Sequence, residues 1–168
     1  DGWRRAVRAQ SGGPAFKVEV GAVTTPPAAA GGVLLIPVRD GEVHAFDLAK
    51  REVLWSYDLE GEQWSTPVVW QQYVYVVSWG QRLHCLALRS GDDVWTRPLP
   101  APVTAAPAVA AGALYVVTEG GDLIVLDARS GRVLLLDKVA NAAIQASALP
   151  LGDRVIVAAL DGTVAAYG

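Results

Sequence analysis

Apolar residues along this chain fall into short runs rich in Val, Leu, Tyr and Trp, each bounded by turn residues. Val33–Pro37, Tyr73–Val77, Ala113–Val117 and Arg154–Ala158 are such runs. Runs of this length and composition predict β-strands and argue against helices. Gly31-Gly32, Asp40-Gly41, Gly120-Gly121 and Asp161-Gly162 supply the left-handed backbone that tight hairpins need. Around Val43, Ala45, Phe46 and Leu48 neither side of the strand is polar. Sheets of this kind have to be covered on both faces.

The pattern repeats. The segment Asp40–Asp47 returns as Gly80–Ala87, Gly120–Asp127 and Asp161–Gly168, ending at residues 47, 87, 127 and 168, so the spacing is 40, 40 and 41. Pro27, Pro67 and Pro107 share a column with Ser147; Trp55, Trp95 and Leu135 share another. Each unit reads as four strands, A to D. In the second unit these are Thr66–Trp70, Tyr73–Val77, Leu83–Leu88 and Val94–Leu99. Hairpin-linked sheets with two apolar faces bury both by stacking radially, so the expectation is an all-β chain forming a β-propeller.

That propeller should have four blades of four antiparallel strands, either as a ring of its own or as half of an eight-bladed one. The expected organisation is one domain over residues 1–168, with blades at approximately 22–59, 60–99, 100–139 and 140–168. The chain starts out of phase with its repeats. Ala9-Gln10-Ser11-Gly12 aligns with Ala128-Arg129-Ser130-Gly131, which makes Phe16–Val20 a strand D and places Phe16 in the tryptophan column. Trp3–Arg8 is then the remains of a strand C or a short cap. The fourth unit stops after its strand C, and the N-terminal strand at 15–20 is expected to complete it. Exchange of that strand between two copies gives eight blades, so a homodimer through ring closure is expected.

Two motifs carry a family resemblance. Val125-Leu126-Asp127-Ala128-Arg129-Ser130-Gly131 forms a C–D turn, and Gly112-Ala113-Leu114-Tyr115-Val116-Val117 forms a strand B. With Trp55 and Trp95, they make the chain resemble the PQQ-like repeat β-propellers of the quinoprotein dehydrogenase-like superfamily, in its non-enzymatic branch. Such repeats occur in quinoprotein dehydrogenases, in outer-membrane assembly lipoproteins and in extracellular sensor domains of bacterial kinases. The resemblance implies that Trp55 and Trp95 dock between adjacent blades, and that the chain works outside the cytoplasm, in the periplasm or at the cell surface.

Composition narrows the chemistry. The net charge of -3 and pI near 5.3 give no nucleic-acid surface, and Arg4, Arg5 and Arg8 read as a solvated edge. No apolar run approaches membrane-helix length, so no membrane insertion is expected. Asp1 is preceded by no initiator Met or signal peptide, which leaves an upstream signal or anchor open. Cys85 is the lone cysteine, so the adjacent-cysteine disulfide of PQQ enzymes cannot form; Asn141 is the lone asparagine, and no acidic cluster offers a calcium site. No cofactor is expected. His44 and His84 occupy one repeat column, but stacked sheets lie ~10 Å apart and zinc–nitrogen bonds are ~2 Å, so they do not read as a metal pair. Asp47 and Asp127 read as turn caps.

One patch breaks the repeat. Trp64 stands where other units have Thr24 and Thr104, and Trp79 stands where they have Arg39 and Glu119. Gln63, Gln81 and Arg82 share that rim, and exposed tryptophans among polar groups suit an interface anchor. Trp70 and Tyr73, flanking an A–B turn on the opposite rim, form a second candidate. The expected function is therefore a non-catalytic scaffold or protein-interaction module with an unidentified protein partner, not an enzyme. A sensor binding a small ligand in the central channel and a fragment of a PQQ-dependent dehydrogenase are the alternatives.

Overall fold

The structure is a computed structural model that describes residues 3–7, 14–23, 25–61 and 65–168, with side chains described from residue 20 onward. Every regular element among them is a strand. β1 (Trp3–Val7) and β2 (Pro14–Glu19) make a two-stranded hairpin. β3 (Ala28–Ala30), β4 (Val33–Pro37), β5 (Glu42–Asp47) and β6 (Glu52–Asp58) make the first four-stranded blade. β7 (Val68–Trp70), β8 (Tyr73–Ser78), β9 (Arg82–Ala87) and β10 (Asp93–Pro98) make the second. β11 (Ala108–Ala110), β12 (Ala113–Val117), β13 (Asp122–Asp127) and β14 (Val133–Lys138) make the third. β15 (Leu149–Leu151), β16 (Arg154–Ala158) and β17 (Val164–Tyr167) make a fourth sheet of three strands. All pairings are antiparallel between neighbours in sequence, the meander of propeller blades.

The fourth blade departs from the four-stranded expectation. A strand does form over the region expected at 15–20, but its partner is β1 and not the fourth sheet. The reason lies in the register. In the third blade β13 and β14 pair Asp122 with Lys138 and Val125 with Leu135, and the register shifts between Val125 and Leu126. In the hairpin β1 and β2 pair Trp3 with Glu19 and Ala6 with Phe16, and the register shifts between Ala6 and Val7. Moved along by one constant offset, the two patterns coincide, bulge included. The first nineteen residues thus already contain a C–D pair, and β2 takes the neighbour joined to it by a short connection.

Blades stack with one face forward and one back. Val33, Leu35, Val43 and Ala45 of the first blade pack on Val74, Val76 and Leu86 of the second. Tyr75, Val77, Leu83 and Cys85 of the second pack on Leu114, Val116 and Leu126 of the third. Val117 and Leu123 then meet Val155 and Val157 of the fourth. Both faces of an interior blade are buried, as its doubly apolar strands require. The innermost strands β3, β7, β11 and β15 touch in that order, and β3 does not pack on β15 in the same way. Among the described residues the four blades thus follow one another in a row from β3 to β15.

Two candidate rims

Stacking places the turns of all blades on two rims. One carries the B–C hairpins. There β8 runs out through Ser78, and Gln81 takes a left-handed φ of 58° to re-enter β9. The Gln81 amide donates to the Ser78 carbonyl at 3.1 Å, and its own carbonyl accepts from the Leu99 amide at 2.8 Å. This fixes Trp79 at the hairpin tip with 46% of its surface exposed. Gln81 and Arg82 lie exposed beside it. The D–A loop of the first blade reaches this hairpin: a Cβ placed on Gly61 would lie 3.5 Å from the Gly80 nitrogen. Gln63 and Trp64, expected to complete the patch, lie outside the described residues.

The opposite rim carries the A–B and C–D turns. β7 ends in Trp70, Gln71 turns with a φ of 56°, and β8 begins at Tyr73. The Trp70 and Tyr73 rings stack at 6.4 Å and 23°. From the next blade, the Arg129 guanidinium sits 5.7 Å from the Trp70 ring centroid and donates to Gln71 Oε1 at 3.3 Å. Asp127 caps the same turn, its Oδ1 accepting from the Ser130 amide at 2.8 Å and hydroxyl at 2.7 Å. Those bonds hold the Asp127 carboxyl below its ordinary value. Together Trp70, Ala111, Gly112, Asp127 and Arg129 line a cleft of about 450 Å³.

The sequence singled out Trp70 and Tyr73 but missed Arg129, Asp127 and Gly112. Arg129 belongs to a turn motif that recurs with Arg89, so it looked like scaffold. The two arginines nonetheless behave differently. Arg89 Nη2 donates to the Gly31 carbonyl at 2.6 Å, and its Nη1 lies 4.0 Å from Asp47. Arg129 finds an indole face where Arg89 meets a glycine turn.

The inter-blade tryptophans dock on glycines. Trp55 is buried, and its Nε1 donates to the Leu88 carbonyl at 3.0 Å. Trp95 is only partly buried, and its Nε1 reaches the Ala128 carbonyl at 3.3 Å. A Cβ on Gly91 would lie 2.7 Å from Trp55, and one on Gly131 would lie 2.6 Å from Trp95. Leu135, in the same column, is 38% exposed. The histidines join separate networks. His44 Nδ1 pairs with Ser56 Oγ at 2.7 Å and its Nε2 lies 3.2 Å from Glu42. His84 Nδ1 faces Tyr57 Oη at 3.3 Å across the blade interface and Thr96 Oγ1 at 3.4 Å.

Comparison with known proteins places this arrangement in context. The family model described as outer membrane protein assembly factor BamB matches residues 1–84 and again residues 79–168. The DNA damage-responsive serine/threonine-protein kinase RqkA of Deinococcus radiodurans is 34% identical over 56% of this chain, which corresponds to 19% of that protein. The outer membrane protein assembly factor BamB of Escherichia coli is 25% identical over 84% of this chain and 36% of its own length. The crystal structure of BamB from Moraxella catarrhalis superposes with a TM-score of 0.85 at 24% identity, covering 99% of this chain and 52% of that one. The chain thus spans a fifth to about a third of these curated relatives and about half of that solved propeller.

Proposed function

The chain belongs to the family of the outer membrane protein assembly factor BamB, and from that premise we propose that it is a non-catalytic scaffold that binds a protein partner outside the cytoplasm. The observation that carries this reading is Trp79, a large aromatic at 46% exposure on a hairpin tip whose counterparts are Arg39 and Glu119. Half-exposed tryptophan flanked by Arg82 and Gln81 is the composition of an interface anchor. Trp64, whose repeat column holds Thr24 and Thr104, is included in the proposed anchor on its sequence position alone. Iodide quenching in single-tryptophan variants tests it. Trp64 and Trp79 should be quenched strongly and Trp55 weakly. Protection of both rim tryptophans to the level of Trp55 would sink the anchor.

A second partner reading is favoured by the open end of the row. Val43, Leu83 and Leu123 are fully buried, whereas Val164, in the same repeat column, is 69% exposed. Leu149 and Leu151 on that sheet are 58% and 62% exposed. At the outer edge of the same sheet, a groove of about 180 Å³ lined by Tyr115, Val125, Leu135 and Tyr167 lies between the third blade and β17. Apolar side chains left this exposed on a blade face suit coverage by another blade. We propose that a second copy supplies it, completing an eight-bladed homodimer. Light scattering during size exclusion decides: a monodisperse 17.7 kDa species, stable on dilution, rules the dimer out.

A further inference from the structure

The cleft on the A–B rim is built unlike the junction one blade earlier. Position 70 holds tryptophan, where the other blades place Ala30, Ala110 and Leu151. Residue 71 is glutamine, where the first blade has Gly31. These two changes redirect the arginine of the following blade. Arg89 gives a short bond to a backbone carbonyl and faces Asp47. Arg129 is instead spread over the Trp70 ring and held by one long bond to Gln71. A guanidinium has five N–H donors in a planar fork, so Arg129 keeps most of them for a ligand.

The rest of the lining completes a recognisable set. Asp127 receives the two Ser130 bonds on Oδ1, so Oδ2 retains acceptor capacity. Its carboxyl is held ionised by those bonds. Ala111 and Gly112 form the floor as a left-handed turn with φ of 49° and 80°, presenting little side-chain bulk. A Cβ on Gly112 would lie 4.0 Å from the Trp70 ring, so the glycine keeps that wall of the cleft clear. A donor fork, a carboxylate acceptor and the edge of an aromatic ring suit an extended peptide backbone carrying an apolar ring. A purely anionic ligand fits less well, because Asp127 would repel it.

We infer that this cleft binds an extended peptide segment of a partner protein. Its backbone carbonyl takes hydrogen bonds from Arg129, its backbone N–H donates to Asp127, and an aromatic side chain lies against the Cζ2–Cη2 edge of the Trp70 indole above the Gly112 turn. The inference rests on the protein-interaction reading but uses the rim opposite Trp79, so the two can fail separately.

The test is a titration of the full chain with the capped peptide Ac-Gly-Ser-Phe-Ser-Gly-NH2, followed by NMR shifts of the Trp70 indole N–H and the Gly112 amide. Saturable shifts at both positions are expected. Arg129→Gln should raise Kd by about tenfold, the loss of one charge-assisted hydrogen bond. Arg89→Gln, one blade earlier, and Trp79→Ser, on the other rim, should leave Kd within about twofold. Asp127→Asn keeps the turn cap and should still weaken binding. The peptide with serine in place of phenylalanine should bind at least about tenfold more weakly. Absence of saturable shifts, equal binding of the serine peptide, or indifference to Arg129→Gln would each overturn the inference. Loss of binding in Trp79→Ser with Arg129→Gln unaffected would move the site to the other rim and overturn it as well.

Discussion

Gly91→Ala isolates what the docked tryptophans contribute. Gly91 has a φ of +76°, where an L side chain costs about 1–2 kcal/mol in backbone strain. Its added Cβ would stand 2.7 Å from Cδ2 and 2.8 Å from Cγ of Trp55. That indole is buried and tied to the Leu88 carbonyl, so it cannot swing into solvent without losing its contacts. Forcing a methyl into a packed site of this kind costs about 1–3 kcal/mol. The expected total is about 2–5 kcal/mol. Gly152→Ala supplies the reference: its φ is +63° and nothing lies within 4 Å of an added Cβ, so only the strain of about 1–2 kcal/mol applies. Urea unfolding of both variants at one protein concentration should therefore differ by about 1–3 kcal/mol. In a Trp55→Ala background the clash is gone, and Gly91→Ala should cost no more than Gly152→Ala does, which is a coupling of that same size. If Gly91→Ala and Gly152→Ala destabilise equally in the unsubstituted chain, Trp55 is not a rigid wedge between blades and the docking argument fails.

Two further outcomes follow from buried groups. Burial is the main cause lowering the His84 pKa from its ordinary 6.5, with Asp93 opposing and Arg82 assisting, and its buried Nε2 has no hydrogen-bond partner among the described residues. The folded state thus prefers neutral His84, so this group's stability is present above pH 6.5 and is lost as pH falls below it. The urea midpoint should drop between pH 7.5 and 5.5 and the drop should shrink in His84→Gln; a midpoint unchanged over that range contradicts the burial. Cys85 is fully buried and its thiol is pushed up to about 12, so it should resist a disulfide labelling reagent in the native state at pH 8 and react fully in urea. Rapid native labelling would mean that the interface between the second and third blades opens.

Much of the fold is legible because one forty-residue pattern is written several times. The strands begin and end within a residue or two of the apolar runs, since turn glycines such as Gly41 and Gly121 fix where hairpins form. The ends are less legible. A repeat alignment identifies Phe16–Val20 as a strand D but is silent on which strand C it joins, because the strand C of every blade presents the same backbone edge; the choice between β1 and β17 depends on chain connectivity and on what else is present. Burial grades are also lost to alignment. Trp55 and Trp95 share a column and dock on equivalent glycines of the following blade, yet only Trp55 is buried.

The candidate sites were visible to different degrees for a physical reason. Repetition makes the shared positions structural: a residue that serves every interface alike is there for packing or turn geometry. Specific recognition needs an asymmetry, so it is expected where a column breaks. Trp79 breaks its column outright and can be seen from the sequence alone. Arg129 does not. Its own column is regular, and what changes is the neighbour it meets across the blade junction, on another strand of the preceding blade. The Gly31-to-Gln71 and Ala30-to-Trp70 differences carry the asymmetry, while the group that gains binding capacity is the unchanged arginine. In a propeller the unit of recognition is therefore the junction between blades. Reading pairs of columns, one from each side of a junction, finds sites that a search for unusual residues passes over.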